Sequence, residues 1–127
     1  MEFNIKVGLK NKQEKVVVME DTAKMFGSGA ALVFATPMMI GLMEGAAMNA
    51  VQKYLPEGYS TVGVSVAIKH TSATAVGKKV WANAELVEID RKRLVFKVEA
   101  FDEDKQIGEG VHERFIIEEE KFMNNLK

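Results

Sequence analysis

The sequence predicts an α+β fold in which one long apolar helix is wrapped by a curved antiparallel sheet of about five strands. Glu44 is the only charged side chain between Lys24 and Lys53 of the 127-residue chain, and a helix with so few charges is typically buried on most sides. From Thr61 onward, hydrophobic residues alternate with smaller or polar ones in long runs separated by short charged turns, a pattern typical of an antiparallel meander. Because a flat sheet cannot cover a helix that is apolar on nearly all sides, we expect the sheet to curl around it.

The amino-terminal third is expected to add one strand and a loop. The apolar run KVVVM at residues 15–19 is the predicted first strand. The segment FGSGAAL that follows is rich in glycine and small residues, which favours a loop. The length allows one hydrophobic core and leaves no room for a second, so we predict a single domain over residues 1–127.

The helix is predicted to begin at Thr36 and to end near residue 55. Thr36 is a good N-cap residue, Pro37 suits the first helical position, and Pro56 stops the helix. At 100° per residue, one face carries Met39, Met43, Ala46, Ala47 and Ala50, and the opposite face carries Pro37, Gly41, Glu44, Gly45 and Met48. Glycine inside a helix costs about 1 kcal/mol relative to alanine. Two glycines beside the single carboxylate therefore indicate a need for space next to Glu44.

Four further strands are predicted in the second half of the chain. They cover residues 61–70, 79–89, 94–101 and 106–118, with charged turns at residues 90–92 and 102–105. In the first of them Val62, Val64, Val66 and Ile68 share one face, and regular alternation would place His70 on that face too. The segment from EEEKF onward is predicted to be a solvated tail.

Composition excludes several classes of function. The formal net charge of −1 creates no field that would draw the chain to nucleic acid or to an anionic membrane. There is no cysteine and there are only two histidines, so disulfides and thiol chemistry are excluded and no metal site is expected. The amino terminus lacks the apolar core of a signal peptide, and Glu44 and Asn49 interrupt the least charged segment. We therefore predict a cytoplasmic protein without a membrane span.

Three residues stand out on chemical grounds: Thr36, Glu44 and His70. A hydroxyl, a carboxylate and an imidazole are the usual parts of an acyl-transfer site. Each also has a structural explanation, since Thr36 could serve only as a helix cap, Arg114 could neutralise Glu44, and His70 could bond to the backbone at a strand end. For His112 we favour a structural role. Spacing alone does not show that the three residues meet.

Four segments resemble a known family in order and spacing over residues 33–122. They are VFATPMMIGLMEGAAMNA, TVGVSVAIKHTSAT, AELVEIDRKRLVFKVEAFDE and IGEGVHERFIIEEEKF. This pattern resembles the fluoroacetyl-CoA thioesterase-like branch of the hotdog-fold thioesterases. The resemblance implies the hotdog fold, a homodimer or tetramer with the site at the subunit interface, and hydrolysis of an acyl-CoA. It implies no cofactor, because coenzyme A is part of the substrate.

The resemblance also assigns roles to residues. Thr36, Glu44 and His70 match the active-site hydroxyl, carboxylate and histidine of the family, while Gly63 and Arg114 match substrate-binding positions. By resemblance, Glu44 acts as nucleophile or as general base, His70 moves protons and Thr36 orients. The segment MFGSGAAL before the motif offers no aromatic lid, which favours a small or medium acyl group over a site specific for fluoroacetyl-CoA.

Two alternatives to a thioesterase stay open at the level of sequence. One is a non-catalytic module that binds an acyl-CoA or another small ligand, although such a binder does not need Thr36, Glu44 and His70 together. The other is a hotdog hydratase or dehydratase, but those enzymes generally use an Asp/His pair in another arrangement, which the sequence does not present.

Overall fold

The computed structural model describes residues 3–127 and contains the five predicted strands. They are β1 (Lys10–Val16), β2 (Tyr59–His70), β3 (Lys79–Asp90), β4 (Arg93–Asp102) and β5 (Gln106–Glu118). All pairs are antiparallel, and the strand order across the sheet is β1-β3-β4-β5-β2. The helices are α1 (Ala23–Phe26), α2 (Thr36–Val51) and α3 (Glu119–Asn124), with short 3-10 turns at Met19–Asp21 and Gln52–Tyr54. The α+β prediction is therefore confirmed.

Helix α2 lies on one face of the sheet and fills the core with one of its own faces. The residues predicted for that face are all buried: Met39, Met43, Ala46, Ala47 and Ala50. On the opposite face Gly41 is exposed, whereas Glu44, Gly45 and Met48 are half-buried. The prediction that the helix is buried on most sides is therefore met fully on one face and partly on the other, because within one chain the sheet covers one side of the helix.

The first strand lies earlier in the chain than predicted. It spans Lys10–Val16 rather than residues 15–19, and along it exposed and half-buried residues alternate. The strand forms an edge of the sheet next to β3, where polar side chains are tolerated. The apolar run that suggested the strand instead contains Val17, which packs in the core, and Met19, which starts the 3-10 turn.

The start of α2 also differs from the prediction. The extended residue before the helix, and hence its N-cap, is Ala35, and no side chain caps the helix there. Thr36 is the first helical residue and Pro37 follows it in the first turn, where a missing N–H group costs nothing. The Thr36 hydroxyl is consequently free to bond elsewhere. The helix ends at Val51, and the 3-10 turn carries the chain to the predicted end near residue 55.

A β-bulge breaks the alternation of β2. Gly63 pairs with Arg114 and Ser65 pairs with Glu113, so Val64 is the extra residue of the bulge. Val62 therefore pairs opposite exposed Phe115, whereas Val66 pairs opposite buried His112. The prediction that Val62, Val64, Val66 and Ile68 share one face of β2 is wrong, because the bulge shifts the register by one residue. As a result, both Gly63 and His70 face the helix.

The remaining elements add little to the site. α3 lies in the segment predicted to be a solvated tail, and none of its residues is buried. No helix within residues 3–127 is long and apolar enough to cross a membrane.

Candidate active site

The first turn of α2 and the end of β2 bring Thr36 and His70 into contact. The Thr36 Oγ1 atom lies 2.7 Å from His70 Nδ1. The pair opens onto a cavity of about 380 Å³ whose wall also includes the residues before the helix and the loop after β2. Two residues that are 34 positions apart in the sequence therefore form one hydrogen-bonded unit at the surface of a cavity.

His70 is suited to accept or donate a proton. Burial lowers the pKa of His70 below its ordinary value of 6.5, so the ring is neutral at pH 7. Its Nε2 atom is buried and has no hydrogen-bond partner among residues 3–127. A buried polar atom without a partner usually marks a functional position or a place for a ligand or water. The imidazole is thus anchored through one nitrogen and leaves the other available.

A second group of polar side chains surrounds Gly63. A Cβ atom at position 63 would lie 3.1 Å from Glu44 Oε2, 3.2 Å from His112 Cε1 and 3.4 Å from Arg114 Nη1. The missing side chain therefore leaves a small space bordered by a carboxylate, an imidazole and a guanidinium. Two of the predicted site residues, Glu44 and Arg114, and the predicted glycine meet here.

Arg114 is held in this second group by neutral acceptors. Its Nε atom donates to Thr61 Oγ1 at 2.7 Å, its Nη2 atom donates to the Thr61 carbonyl at 2.8 Å, and its Nη1 atom lies 3.1 Å from His112 Nε2. Burial lowers the pKa of Arg114, while the charge of Glu44 opposes that shift. The alternative in which Arg114 neutralises Glu44 by direct contact is not seen, because within residues 3–127 no ion pair forms between them.

Within one chain the two groups are separate. Thr36 and Glu44 lie eight residues apart on α2, a rise of about 12 Å at 1.5 Å per residue. Gly63 and His70 lie seven residues apart on β2, roughly 20 Å along the strand. The structure thus joins Thr36 to His70 and joins Glu44 to Gly63 and Arg114, but it does not bring the carboxylate to the Thr36–His70 pair of its own chain.

His112 is the site residue that sequence reasoning assigned to structure alone. It lies in the second group, and its neighbour two positions on, Arg114, points to the same side of β5. The signal in the sequence was this period-two pairing of a histidine and an arginine inside an apolar strand. No group of three His, Cys, Asp or Glu side chains within residues 3–127 could hold a metal ion.

Comparison with solved structures identifies the class of protein. A hot-dog-like protein from Thermanaerovibrio acidaminovorans shares the fold, with a TM-score of 0.89 at 23% identity over 99% of this chain and 95% of that chain. A thioesterase superfamily member from Thermus thermophilus matches with a TM-score of 0.88 at 28% identity, covering 96% of this chain and 90% of that one. The fold is therefore the hotdog fold.

Closer relatives identify the family. A family model described as fluoroacetyl-CoA-specific thioesterase matches residues 17–120. The fluoroacetyl-CoA thioesterase of Streptantibioticus cattleyicolor is 43% identical over 90 residues, which make up 71% of this chain and 65% of that protein. A variant of the fluoroacetyl-CoA-specific thioesterase FlK, solved with fluoroacetate and CoA, is 36% identical with a TM-score of 0.88, covering 93% of this chain and 99% of that chain. The chain belongs to the fluoroacetyl-CoA-specific thioesterase family.

Proposed function

We propose that this protein hydrolyses a small or medium acyl-CoA thioester to the free acid and CoA. The observation that carries the proposal is the Thr36–His70 pair, in which a neutral imidazole with one free nitrogen sits 2.7 Å from a hydroxyl at an open cavity. A positioned, neutral imidazole with a free nitrogen is suited to proton transfer in acyl transfer. Membership of a thioesterase family supports a thioester as the substrate.

We further infer that the working unit is a homodimer in which each site combines Thr36 and His70 of one subunit with Glu44 of the partner subunit. The two groups of one chain lie about 12 Å apart on the helix, too far for direct contact. The α2 face that carries Glu44 is only partly covered. A second copy that covered this face would remove apolar surface from water and bring a carboxylate to the histidine.

The free edge of β2 supports such a dimer. β2 pairs with β5 on one side only, and Val64 and Val66 on it are 57% and 40% exposed. Exposed apolar edge strands are prone to pair with another chain. If β2 paired antiparallel with the partner's β2, centred on residue 67 and with Val64 bulged out of the pairing, Gly63 of the partner subunit would lie opposite His70 on the same face of the sheet. The partner subunit's Glu44 would then approach the Thr36–His70 pair.

The proposed chemistry balances with water as the co-substrate. Water adds its oxygen to the thioester carbonyl while its proton passes to Glu44, or Glu44 adds first and water then hydrolyses the resulting anhydride. The carbon–sulfur bond breaks, and the neutral His70 takes up the proton that the attacking water gave to Glu44 and passes it to the departing CoA sulfur, which returns both groups to their starting states. Thr36 holds the imidazole in orientation. A free acid and free CoA leave the site.

The cavity wall supports a broader acyl preference than fluoroacetyl. The wall includes small side chains, among them Ala23, Ser28, Ala35 and Ala73, and its one aromatic residue, Phe34, is itself buried. A cavity of about 380 Å³ lined in this way leaves room for acyl groups larger than two carbons.

A cytoplasmic location and the lack of a cofactor stay predictions from the sequence.

An assay of CoA release with a panel of acyl-CoAs tests the activity. We expect turnover by the wild-type protein, a loss of kcat/KM of about 10²- to 10⁴-fold in Glu44→Gln and His70→Ala, and full activity in the control Glu57→Gln, an exposed glutamate. Background CoA release from every substrate, equal in all variants, would refute the thioesterase. Binding without turnover would indicate a ligand-binding module, and hydration of an enoyl-CoA without CoA release would indicate a hydratase.

Mixing the two inactive variants tests how the site is shared. A mixed dimer of Glu44→Gln and His70→Ala subunits holds one site with both native groups and one site with neither. Random mixing should therefore restore about a quarter of wild-type activity if the site spans two subunits. If Glu44 and His70 act from the same chain, the mixture stays inactive.

A further inference from the structure

We propose that His112 is a positioning residue of the thioesterase site: its Nε2 atom accepts a hydrogen bond from Arg114 and fixes the guanidinium at the space above Gly63, beside Glu44. This inference rests on the proposed function and deepens it. It assigns a role to His112, a buried histidine that takes no direct part in the proposed hydrolysis.

The partners of His112 determine its tautomer. The side chain is 1% exposed, and its Nδ1 atom lies 2.8 Å from the Ser65 carbonyl oxygen. A carbonyl can only accept, so Nδ1 carries the proton and donates it. Arginine can only donate, so Nε2 must offer its lone pair to Arg114 Nη1 at 3.1 Å. Both contacts are satisfied only by the neutral ring with its proton on Nδ1.

Burial keeps the ring in that neutral form. Burial lowers the pKa of His112 and outweighs the hydrogen bond to Ser65, which raises it; the charge of Arg114 lowers the pKa further, while the charges of Glu44 and Glu113 raise it. Protonation of Nε2 would place two cationic groups in contact and remove the acceptor. The imidazole is therefore a fixed acceptor at neutral pH.

Arg114 is a buried cation whose charge is left available. The residue is 6% exposed, and its three hydrogen bonds go to two atoms of Thr61 and to His112, none of which is charged. Within residues 3–127 no carboxylate lies within 4.0 Å of its nitrogen atoms. Buried arginines that serve only structure are usually paired with a carboxylate. Of the five N–H groups of a guanidinium, two stay free here, one on each terminal nitrogen.

The fixed guanidinium faces the same space as the carboxylate. Arg114 Nη1 and Glu44 Oε2 lie 3.4 Å and 3.1 Å from the position that a side chain at residue 63 would take. A substrate group above Gly63 would meet a positive and a negative group together. Thr61 holds the Nε/Nη2 edge of the planar guanidinium, and the His112 bond restrains Nη1, the nitrogen nearest this space, so that the plane does not tilt about that edge.

Two substitutions at position 112 distinguish the role of the side chain as a hydrogen-bond acceptor from its role in filling space. In His112→Gln the amide oxygen can still accept from Arg114, whereas in His112→Leu it cannot. We expect kcat to fall about 10- to 100-fold in the leucine variant with KM changed less than about threefold, and to stay within about fivefold of wild type in the glutamine variant. Val98→Ala, a buried truncation on β4, controls for lost stability, and thermal unfolding is measured for all three.

A second readout does not depend on activity. NMR of the wild-type protein should show His112 neutral with its proton on Nδ1, and a side-chain N–H signal of Arg114 that exchanges slowly and that exchanges faster in the leucine variant. Equal exchange in the wild-type protein and the leucine variant, or equal kcat in both, would overturn the positioning role. A wild-type protein that releases no CoA would refute the proposed function instead, and the NMR comparison would still decide the role of His112.

Discussion

Each histidine of this protein is fixed by one hydrogen bond at Nδ1, and the other nitrogen defines what the ring can do. His70 contacts Thr36 through Nδ1, and its Nε2 atom is buried without a partner among residues 3–127. His112 donates through Nδ1 to a carbonyl and accepts through Nε2 from Arg114. The first ring can exchange protons with a substrate, while the second has both nitrogens occupied and suits orientation.

The pH dependence of kcat/KM should report His70. Because burial lowers its pKa, the neutral ring dominates at pH 7 and is lost only when the pH falls through a midpoint below 6.5. We expect kcat/KM to be level near neutrality and to decrease on the acid side with that midpoint. His112→Gln should keep the acid limb. An acid limb centred above pH 6.5 would contradict the assignment.

At the scale of the element, α2 begins with a residue whose side chain bonds to another element instead of capping the helix. Ala35 occupies the N-cap position without a side-chain bond, and Thr36 bonds to His70. The nearby short helix α1 follows the usual rule, since the Thr22 hydroxyl accepts from the Met25 N–H group at 3.3 Å. A side chain that would ordinarily stabilise a helix end is thus used for hydrogen bonding across the fold.

Thr36→Ala should therefore separate activity from stability. Loss of an N-cap costs about 1 kcal/mol, which lowers the melting temperature by roughly 3–6 °C in a domain of this size. For Thr36→Ala we expect the melting temperature to fall by less than about 1 °C. We expect kcat/KM to fall at least about tenfold, because the imidazole of His70 loses its hydrogen bond to Thr36. Thr22→Ala is a positive control and should show the stability loss, since the buried Thr22 hydroxyl caps α1 and also donates to the Met19 carbonyl. A melting temperature lowered as much as in the control would mean that Thr36 does cap α2.

At the scale of the whole molecule, two neighbouring surfaces bear on the proposed dimer, among the several places where residues 3–127 leave apolar surface exposed. One is the α2 face with Gly41 and Glu44, and the other is the edge of β2 with Val64 and Val66. Within one chain Glu44 and Thr36 are separated by a rise of about 12 Å along α2, so the carboxylate does not reach the Thr36–His70 pair. A two-fold dimer would explain both observations, since one contact would cover the α2 face and the β2 edge and would bring each Glu44 to the Thr36–His70 pair of the partner subunit.

A charge on the β2 edge should disrupt the proposed dimer. Val66→Lys places an ammonium group at the proposed contact, where like charges from the two subunits would meet. We expect sedimentation to show monomers and CoA release to fall to background. Val87→Lys, on β3 and similarly exposed at 43%, should stay dimeric and active. A monomeric Val66→Lys protein with undiminished activity would show that one chain carries a complete site.

Local patterns predicted much of the fold because they depend on neighbours in the chain. The long helix with its single charged residue, Glu44, and four of the strands lie within a few residues of their predicted bounds. The first strand was misplaced because an edge strand tolerates polar side chains, so its sequence lacks an apolar pattern. The bulge at Val64 also escaped prediction, because an extra residue in a strand changes pairing without changing composition.

By itself, the sequence determined the α+β class, the buried face of α2 and, through family motifs, which residues to examine: Thr36, Glu44 and His70. Only the tertiary structure decided how those residues group. It joined Thr36 to His70, moved Glu44 to the group of Gly63 and Arg114, and gave His112 two specific partners. The physical reason is that helix and strand periods follow from local backbone geometry, whereas a contact between distant residues depends on register, bulges and packing that no short segment encodes.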